Sequence, residues 1–406
     1  MLRTMTTVER QPLRRPQLPV LTSLRFFAAA EVLAFHFGRM NGVDVVSHYF
    51  GQDFTRFPAS LANNLTSAGH EAVTFFFVLS GFVLTYVYSG ASERQGFAVR
   101  ATEFWWARFA RLAPGFYLGL LLALPFLFYG VFLVHSMTLP SIVPGLVLAP
   151  VLLQSWWPPA VYTWNFPSWS LSVEAFFYLL FPLLAVAAAR LTPRQLLLLA
   201  VALLVALTPV RAAILTHYAT EPDPANTFGI YFPPLSLPQF ILGIALGRLF
   251  LWGPALSPRA HAALFWFGLV AVIVAFGWQS DLPQGLKWLR TETGSVGLLF
   301  GMVIFGAAGL SPSTPFLASP ILVFLGDASY LMYILHIPLD LWWKSISTKL
   351  LHLSLPPLLD SLTTFLLVVA VASLVHAYVE PPLRRRLSRR RPAPLASASS
   401  STGSIV

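Results

Sequence analysis

The chain has 406 residues, of which 56% are hydrophobic, 14% aromatic and only 10% charged, with a mean hydropathy of +0.69. That leaves too little polar surface to clothe a soluble globule, and the composition predicts an all-α, polytopic membrane protein embedded in a lipid bilayer. The absence of cysteine excludes disulfides, thiolate metal sites and cysteine nucleophiles. A net charge of +10 would suit nucleic acid, but the cations collect at segment ends and in the tail, with no basic helix between them. Membrane orientation accounts for them, and no nucleic-acid partner is expected.

Residues 1–19 form a basic, proline-containing N-terminus. The first apolar segment carries Arg25, Glu31 and His36, which is too polar for a cleavable signal and reads as a retained helix. Runs long enough to cross about 30 Å of hydrocarbon lie near 20–40, 71–89, 112–134, 168–189, 195–215, 233–251, 261–279, 293–310, 321–342 and 357–379. These predict about ten transmembrane helices. The stretch Ile142 to Leu153 is short and broken by Pro144 and Pro150, so it reads as a re-entrant or interfacial piece.

Threading ten spans puts eighteen of the 26 Lys and Arg residues on one side, seven on the other, and Arg25 within the first helix. Because cations collect on cytoplasmic loops, both termini are expected in the cytoplasm. Tryptophans such as Trp105, Trp106, Trp164, Trp342 and Trp343 fall near span ends, as aromatic belts require. The membrane domain is read as 20–383. Residues 384–406 are read as a basic cytoplasmic tail, disordered after about 388 and able to touch anionic lipid.

Several polar groups within these spans need a reason. Arg25 and His36 are eleven residues apart, which places them on nearly one helix face about 16 Å apart. Ionisable groups in a membrane helix are costly and mark functional sites by default; the alternatives are an arginine that snorkels and a histidine that bonds a neighbouring helix. Arg108 and Arg111 share a face just after Trp105 and Trp106. They read either as an ordinary positive anchor or as a fork for phosphate, which guanidinium donors fit bidentately. Ser170, Glu174 and Tyr178 follow i, i+4, i+8, with Ser172 nearby, and put a carboxylate well inside a span. Ser80-Gly81 in an aromatic run suggests close helix packing, with Ser80 also a candidate cavity residue. Asp327, Ser329, Tyr330, Tyr333 and His336 form a polar strip suited to interhelical bonding or cavity lining. No P-loop, His-Glu-x-x-His or Gly-x-Ser-x-Gly occurs, so nucleotide hydrolysis, zinc chemistry and a serine-hydrolase elbow lack support and no metal is expected.

Leu24-Arg25-Phe26 to His36, Phe76-Phe77-Val78-Leu79-Ser80-Gly81-Phe82, Arg108-Phe109-Ala110-Arg111, Trp169-Ser170-Leu171-Ser172-Val173-Glu174, Ser329-Tyr330 to His336 and Val379-Glu380-Pro381 occur in one order along nearly the whole chain. In this the sequence resembles acyltransferase family three, the bacterial integral-membrane enzymes that include O-antigen and exopolysaccharide O-acetyltransferases and macrolide acyltransferases. The chain departs from the usual family pattern at Gly69-His70-Glu71, where a second glycine is usual, and at Glu31. The resemblance implies a bacterial cytoplasmic-membrane enzyme using cytosolic acyl-CoA, acetyl-CoA first among the candidates. The acceptor it implies is a hydroxyl, often of a sugar or lipid-linked glycan. It also implies that Arg25, His36, Arg108, Arg111 and Glu174 are the functional positions. On that basis His36 is expected as base or acyl carrier with Glu174 supporting it, and Arg25, Arg108 and Arg111 as donor-binding. The rival readings are an acyltransferase that tailors a small secondary metabolite and a non-enzymatic transporter or flippase whose charges bind an anion.

Overall fold

The computed structural model describes residues 15–40, 64–65, 68–90, 92, 97, 99–217, 224–278, 294–310 and 314–389, and the regular structure among them is entirely helical. Among the described residues twelve α-helices have ten or more residues: α1 (Pro19–Met40), α2 (Gly69–Tyr88), α3 (Ala101–Phe132), α4 (Leu139–Leu148), α5 (Trp169–Ala188), α6 (Pro193–His217), α7 (Leu237–Trp252), α8 (Pro258–Gly277), α9 (Gly297–Ala308), α10 (Pro320–Ser345), α11 (Pro357–Leu374) and α12 (Glu380–Arg389). A π-helical turn, Val375–Val379, joins α11 to α12. Helix starts carry local signals: Ser257 accepts from the Ala260 amide ahead of Pro258, and Ser319 accepts from the Leu322 amide ahead of Pro320. Both supply a side-chain acceptor to an otherwise orphaned amide, with proline at a position that needs no donor.

Among the described residues nine helices are long and apolar enough to cross a membrane. They correspond to nine of the ten expected spans. The remaining segment, expected over 293–310, forms only the 12-residue α9, about 18 Å long at ~1.5 Å per residue. Gly294, at φ +85°, stands just before it in a left-handed conformation that α-helix does not use. The Ile142–Leu153 stretch is likewise too short: α4 has 10 residues and runs into the tight turn Ala149–Val151. The third span begins earlier than expected. α3 has 32 residues, so Trp105, Trp106, Arg108 and Arg111 already lie on its first turns. α12 runs across residue 384 to Arg389; all but the first residue of the segment expected to be disordered after about 388, and the cations at Arg3, Arg10, Arg14, Arg56, Arg94, Lys287 and Arg290, lie outside the described residues.

The helices are inside-out relative to a soluble bundle: Leu121, Leu183 and Leu198 are exposed, while Ser170, Ser329, His336 and Asp340 are buried. Large apolar side chains exposed in such number suit lipid rather than water, and the buried polar groups then find one another inside. Close approach is set by glycine. A Cβ on Gly81 of α2 would lie 2.1 Å from the Phe240 carbonyl oxygen of α7, and one on Gly243 of α7 would lie 2.0 Å from the Val78 carbonyl oxygen of α2. The two backbones therefore touch, as in small-residue packing of membrane helices. Gly326 of α10 does the same against Thr22 of α1, with 1.9 Å to the Thr22 carbonyl oxygen.

Candidate active site

The polar residues of the spans are assembled by the pairing of α1 with α10. Thr22 meets Gly326, Arg25 Nη1 lies 4.0 Å from Asp327 Oδ1, and the His36 and His336 rings are 4.8 Å apart. Contact positions advance together along both helices, so α1 and α10 run parallel. The histidine pair then stands nine to eleven residues, about 14–16 Å, from the Arg25–Asp327 pair.

Near the Arg25 end a cavity of about 290 Å³ opens among α1, α2, α3, α5, α10 and α12. Arg25, Arg108, Arg111 and Arg384 line it, as do the carboxylates Glu174 and Asp327. Glu174 Oε1 accepts hydrogen bonds from the Tyr178 hydroxyl and, at 3.4 Å, from Ser80 Oγ. Arg108 Nη2 donates to the Tyr88 hydroxyl at 2.9 Å, and its guanidinium also lies over the Tyr88, Phe104 and Tyr178 rings. Aromatic faces leave the remaining guanidinium donors available to an anion. Arg111 Nη1 is 3.6 Å from Glu380 Oε1. Arg15, just ahead of α1, donates to the Ser89 and Gly90 carbonyls at 3.4 and 3.1 Å, tying the start of α1 to the end of α2; burial holds its pKa below the usual arginine value.

Toward the histidines the cavity is lined by Ser170, Tyr330 and Tyr333. Ser170 Oγ donates to the Tyr333 hydroxyl at 2.8 Å, which in turn donates to the Pro167 carbonyl at 2.9 Å. Tyr330 donates to the Leu112 carbonyl at 2.7 Å. One turn beyond Tyr333, His336 Nδ1 faces the Tyr333 carbonyl at 2.6 Å and His36 Nδ1 faces the Val32 carbonyl at 2.9 Å. A carbonyl only accepts, so in each neutral ring the proton sits on Nδ1 and the lone pair on Nε2. His336 is fully buried, and among the described residues its Nε2 has no hydrogen-bond partner.

The segment after α4 positions α5. Gln154 Nε2 donates to the Ser168 carbonyl at 2.8 Å, Ser155 Oγ to the Trp169 carbonyl at 2.8 Å, and Ser172 Oγ to the Leu152 carbonyl at 2.6 Å. These bonds hold the first turn of α5 and so set the height of Ser170 and Glu174. The end of the short apolar piece read as re-entrant or interfacial, with the two residues after it, thus braces the site.

Of the residues singled out in the sequence, Arg25, Arg108, Arg111, Glu174, Ser80, Ser170, Tyr178, Tyr330 and Tyr333 line one cavity. Ser172 does not; it braces α5 instead. His36 and His336 lie beyond the cavity wall, against each other. The expected pairing of Glu174 with His36 is replaced by bonds to Tyr178 and Ser80, because Glu174 sits at the depth of the arginines while His36 is about three turns further along α1. The departure at Gly69-His70 has a local use. A Cβ on Gly69 would lie 2.3 Å from Phe35 Cβ, so the glycine brings α2 against the helix face beside His36, and His70 stacks on Trp169 with ring centroids 5.2 Å apart. Among the charged lining residues only Arg384 has no site role from the sequence, since Asp327 belongs to the polar strip suited to cavity lining. Arg384 is indistinguishable in the sequence from the other arginines of the tail. Among the described residues no group of three or more His, Asp or Glu is placed to hold a metal ion.

The family model for an acyltransferase domain, that of acyltransferase family 3, matches residues 19–377. The chain belongs to that family. Among named relatives, acyltransferase MdmB of Streptomyces mycarofaciens is 30% identical over 95% of this chain and 96% of its own length. The peptidoglycan O-acetyltransferase OatA of Listeria monocytogenes is 23% identical over 91% of this chain, and the O-acetyltransferase OatA of Staphylococcus aureus is 24% identical over 91%. The matches span only 56% and 57% of those two OatA proteins. No solved structure matches. This acyltransferase is therefore a multi-pass membrane enzyme that moves an acyl group to a hydroxyl, and the transporter reading falls.

Proposed function

We propose that the acyltransferase takes an acyl group, acetyl first among the candidates, from cytosolic acyl-CoA and places it on a hydroxyl of a carbohydrate or glycoconjugate. It would act in a bacterial cytoplasmic membrane with both termini in the cytoplasm. The observation that carries this reading is the cavity in which Arg25, Arg108 and Arg111 converge at one end while Ser170 and Tyr333 lead toward the histidine pair at the other. Arginine forks suit the phosphates of coenzyme A, and the polyanionic donor would enter from the arginine-lined end. The names of the OatA relatives, one of them a peptidoglycan O-acetyltransferase, favour acetyl and a glycan.

In this reading the acceptor hydroxyl loses its proton to His36 Nε2 as its oxygen bonds to the thioester carbonyl carbon. The carbon–sulfur bond then breaks, and the coenzyme A sulfur leaves as the thiol with that proton. A covalent acyl-imidazole on His36 is the alternative route, with the same balance in two steps. Glu174 acts at a distance from the imidazole, ordering Tyr178 and Ser80 and opposing the arginine charge. The test is release of coenzyme A thiol by the purified protein in nanodiscs, given acetyl-CoA and a panel of hydroxyl acceptors. Thiol release that depends on a glycan acceptor supports the reading; acceptor-dependent release confined to small secondary metabolites replaces the acceptor, and none with any acyl-CoA ends it.

A further inference from the structure

The helix α12 closes the last of the nine long helices, which runs Pro357–Leu387, and begins beyond the residues that match the family model, yet it forms part of the cavity wall. Two contacts dock it on α3. At its start Glu380, which is buried, approaches Arg111 and is held from behind by His376 Nδ1, 2.8 Å from Glu380 Oε2. Near its end the Leu387 carbonyl accepts from Trp106 Nε1 at 3.0 Å. One turn after Glu380, on the same face, Arg384 lines the cavity beside Arg108 and Arg111.

Charge balance makes this arrangement informative. Asp327 stands against Arg25 and Glu380 against Arg111, whereas among the described residues no carboxylate lies within ion-pair distance of Arg108 or Arg384. Arg108 and Arg384 thus stand beside Arg111 with no ion-pair partner of their own among the described residues and, apart from Asp327, only the Glu174 carboxylate elsewhere in the cavity, so they repel one another, and a convergent set of this kind is stable and useful when an anion sits between them. Arg384 is also the exposed member of the set, so it stands at the mouth while Arg25 stands deeper.

Building on the proposed acyl-CoA reading, we infer that α12 is a donor-binding element and that Arg384 binds the phosphate of coenzyme A farthest from the thioester, the 3′-phosphate of its ribose. The acyl-bearing arm must point inward to reach the acceptor, so the opposite end of the donor is left at the mouth where Arg384 lies. Arg108 and Arg111 are then free for the diphosphate.

The experiment uses the full chain in nanodiscs and measures both binding and turnover. Coenzyme A is compared with 3′-dephospho-coenzyme A, and their acetyl thioesters likewise, for the wild type, Arg384→Gln, Arg384→Lys and the neighbouring Arg386→Gln. A charge-assisted contact of this kind corresponds to about tenfold or more in affinity. The wild type should therefore prefer the 3′-phosphorylated ligand by at least that factor. Arg384→Gln should abolish the preference by weakening only the phosphorylated ligand, with kcat at saturation unchanged; Arg384→Lys should restore part of it and Arg386→Gln none should be lost. An unaltered preference in Arg384→Gln, or equal weakening of both ligands, overturns the inference while leaving the acyl-CoA reading in place. Preferential binding lost in Arg384→Gln without acyl transfer by the wild type supports Arg384 as the contact to the 3′-phosphate but removes the donor reading, and no binding of coenzyme A at all overturns both.

Discussion

His36 and His336 give their Nδ1 protons to backbone carbonyls one turn earlier in their own helices, so each presents Nε2 as the basic atom. A general base in this role contributes about 10²–10⁴-fold to the rate. His36→Ala should lower kcat by that factor with coenzyme A affinity held, since the arginine-lined cavity does not include the imidazole. His336→Gln should also depress kcat if the second ring sets the first in place, read from stopped-assay turnover against donor binding; full turnover would reduce His336 to packing. Arg108 and Arg111 answer to a different readout. Lysine keeps the charge but loses the planar fork, so Arg108→Lys and Arg111→Lys should each raise KM for acetyl-CoA about tenfold, with correct insertion and little change in kcat. Donor saturation like the wild type in both would return the pair to the role of a membrane anchor.

Helix-to-helix contacts decide where these residues stand. α2 and α7 touch backbone to backbone through Gly81 and Gly243, and a methyl group there has no side chain to push aside. Gly81→Ala should therefore separate the helices and destabilise the fold by about 1–3 kcal/mol or more, lowering the midpoint of thermal unfolding in detergent. Gly130→Ala is the control, because the nearest atom to its Cβ is the Ser136 side-chain oxygen at 3.3 Å; an equal drop in the control would refute the contact argument. The small pair Ser80-Gly81 could be read as a packing site from its size alone. That its two members face different ways, Gly81 onto α7 and Ser80 onto Glu174, follows only from which helices flank α2. The short α9 is the opposite case: hydropathy promised a span over 293–310, and among the described residues the helix starts only at Gly297, after the left-handed Gly294.

At the scale of the molecule, the excess of cations on alternate loops predicts which ends of the bundle face the cytoplasm. The chain has no cysteine, so single cysteines report accessibility without a background. Thr192→Cys and Ala255→Cys should react only with reagent admitted to the cytoplasmic side, and Ser136→Cys and Leu350→Cys only from outside. A reproducible inversion of either pair would discard the topology, and with it cytosolic entry of the donor.

Composition and hydropathy by themselves determined a helical membrane protein, because burying so little charge among so many apolar residues has no soluble solution. Sequence also marked Arg25, Glu174 and His36, since an ionisable group within a span is too costly to lack a partner or a purpose, and Arg108 and Arg111 as a shared-face pair at a span boundary. Spacing along one helix sets the face and height of a side chain but carries no information about which neighbour stands opposite. The parallel docking of α1 on α10, allowed by Gly326 against Thr22, put His36 beside His336 and left Glu174 with Tyr178 and Ser80. In the same way, only the return of α12 onto α3 through Glu380 and Leu387 distinguished Arg384 from the arginines around it.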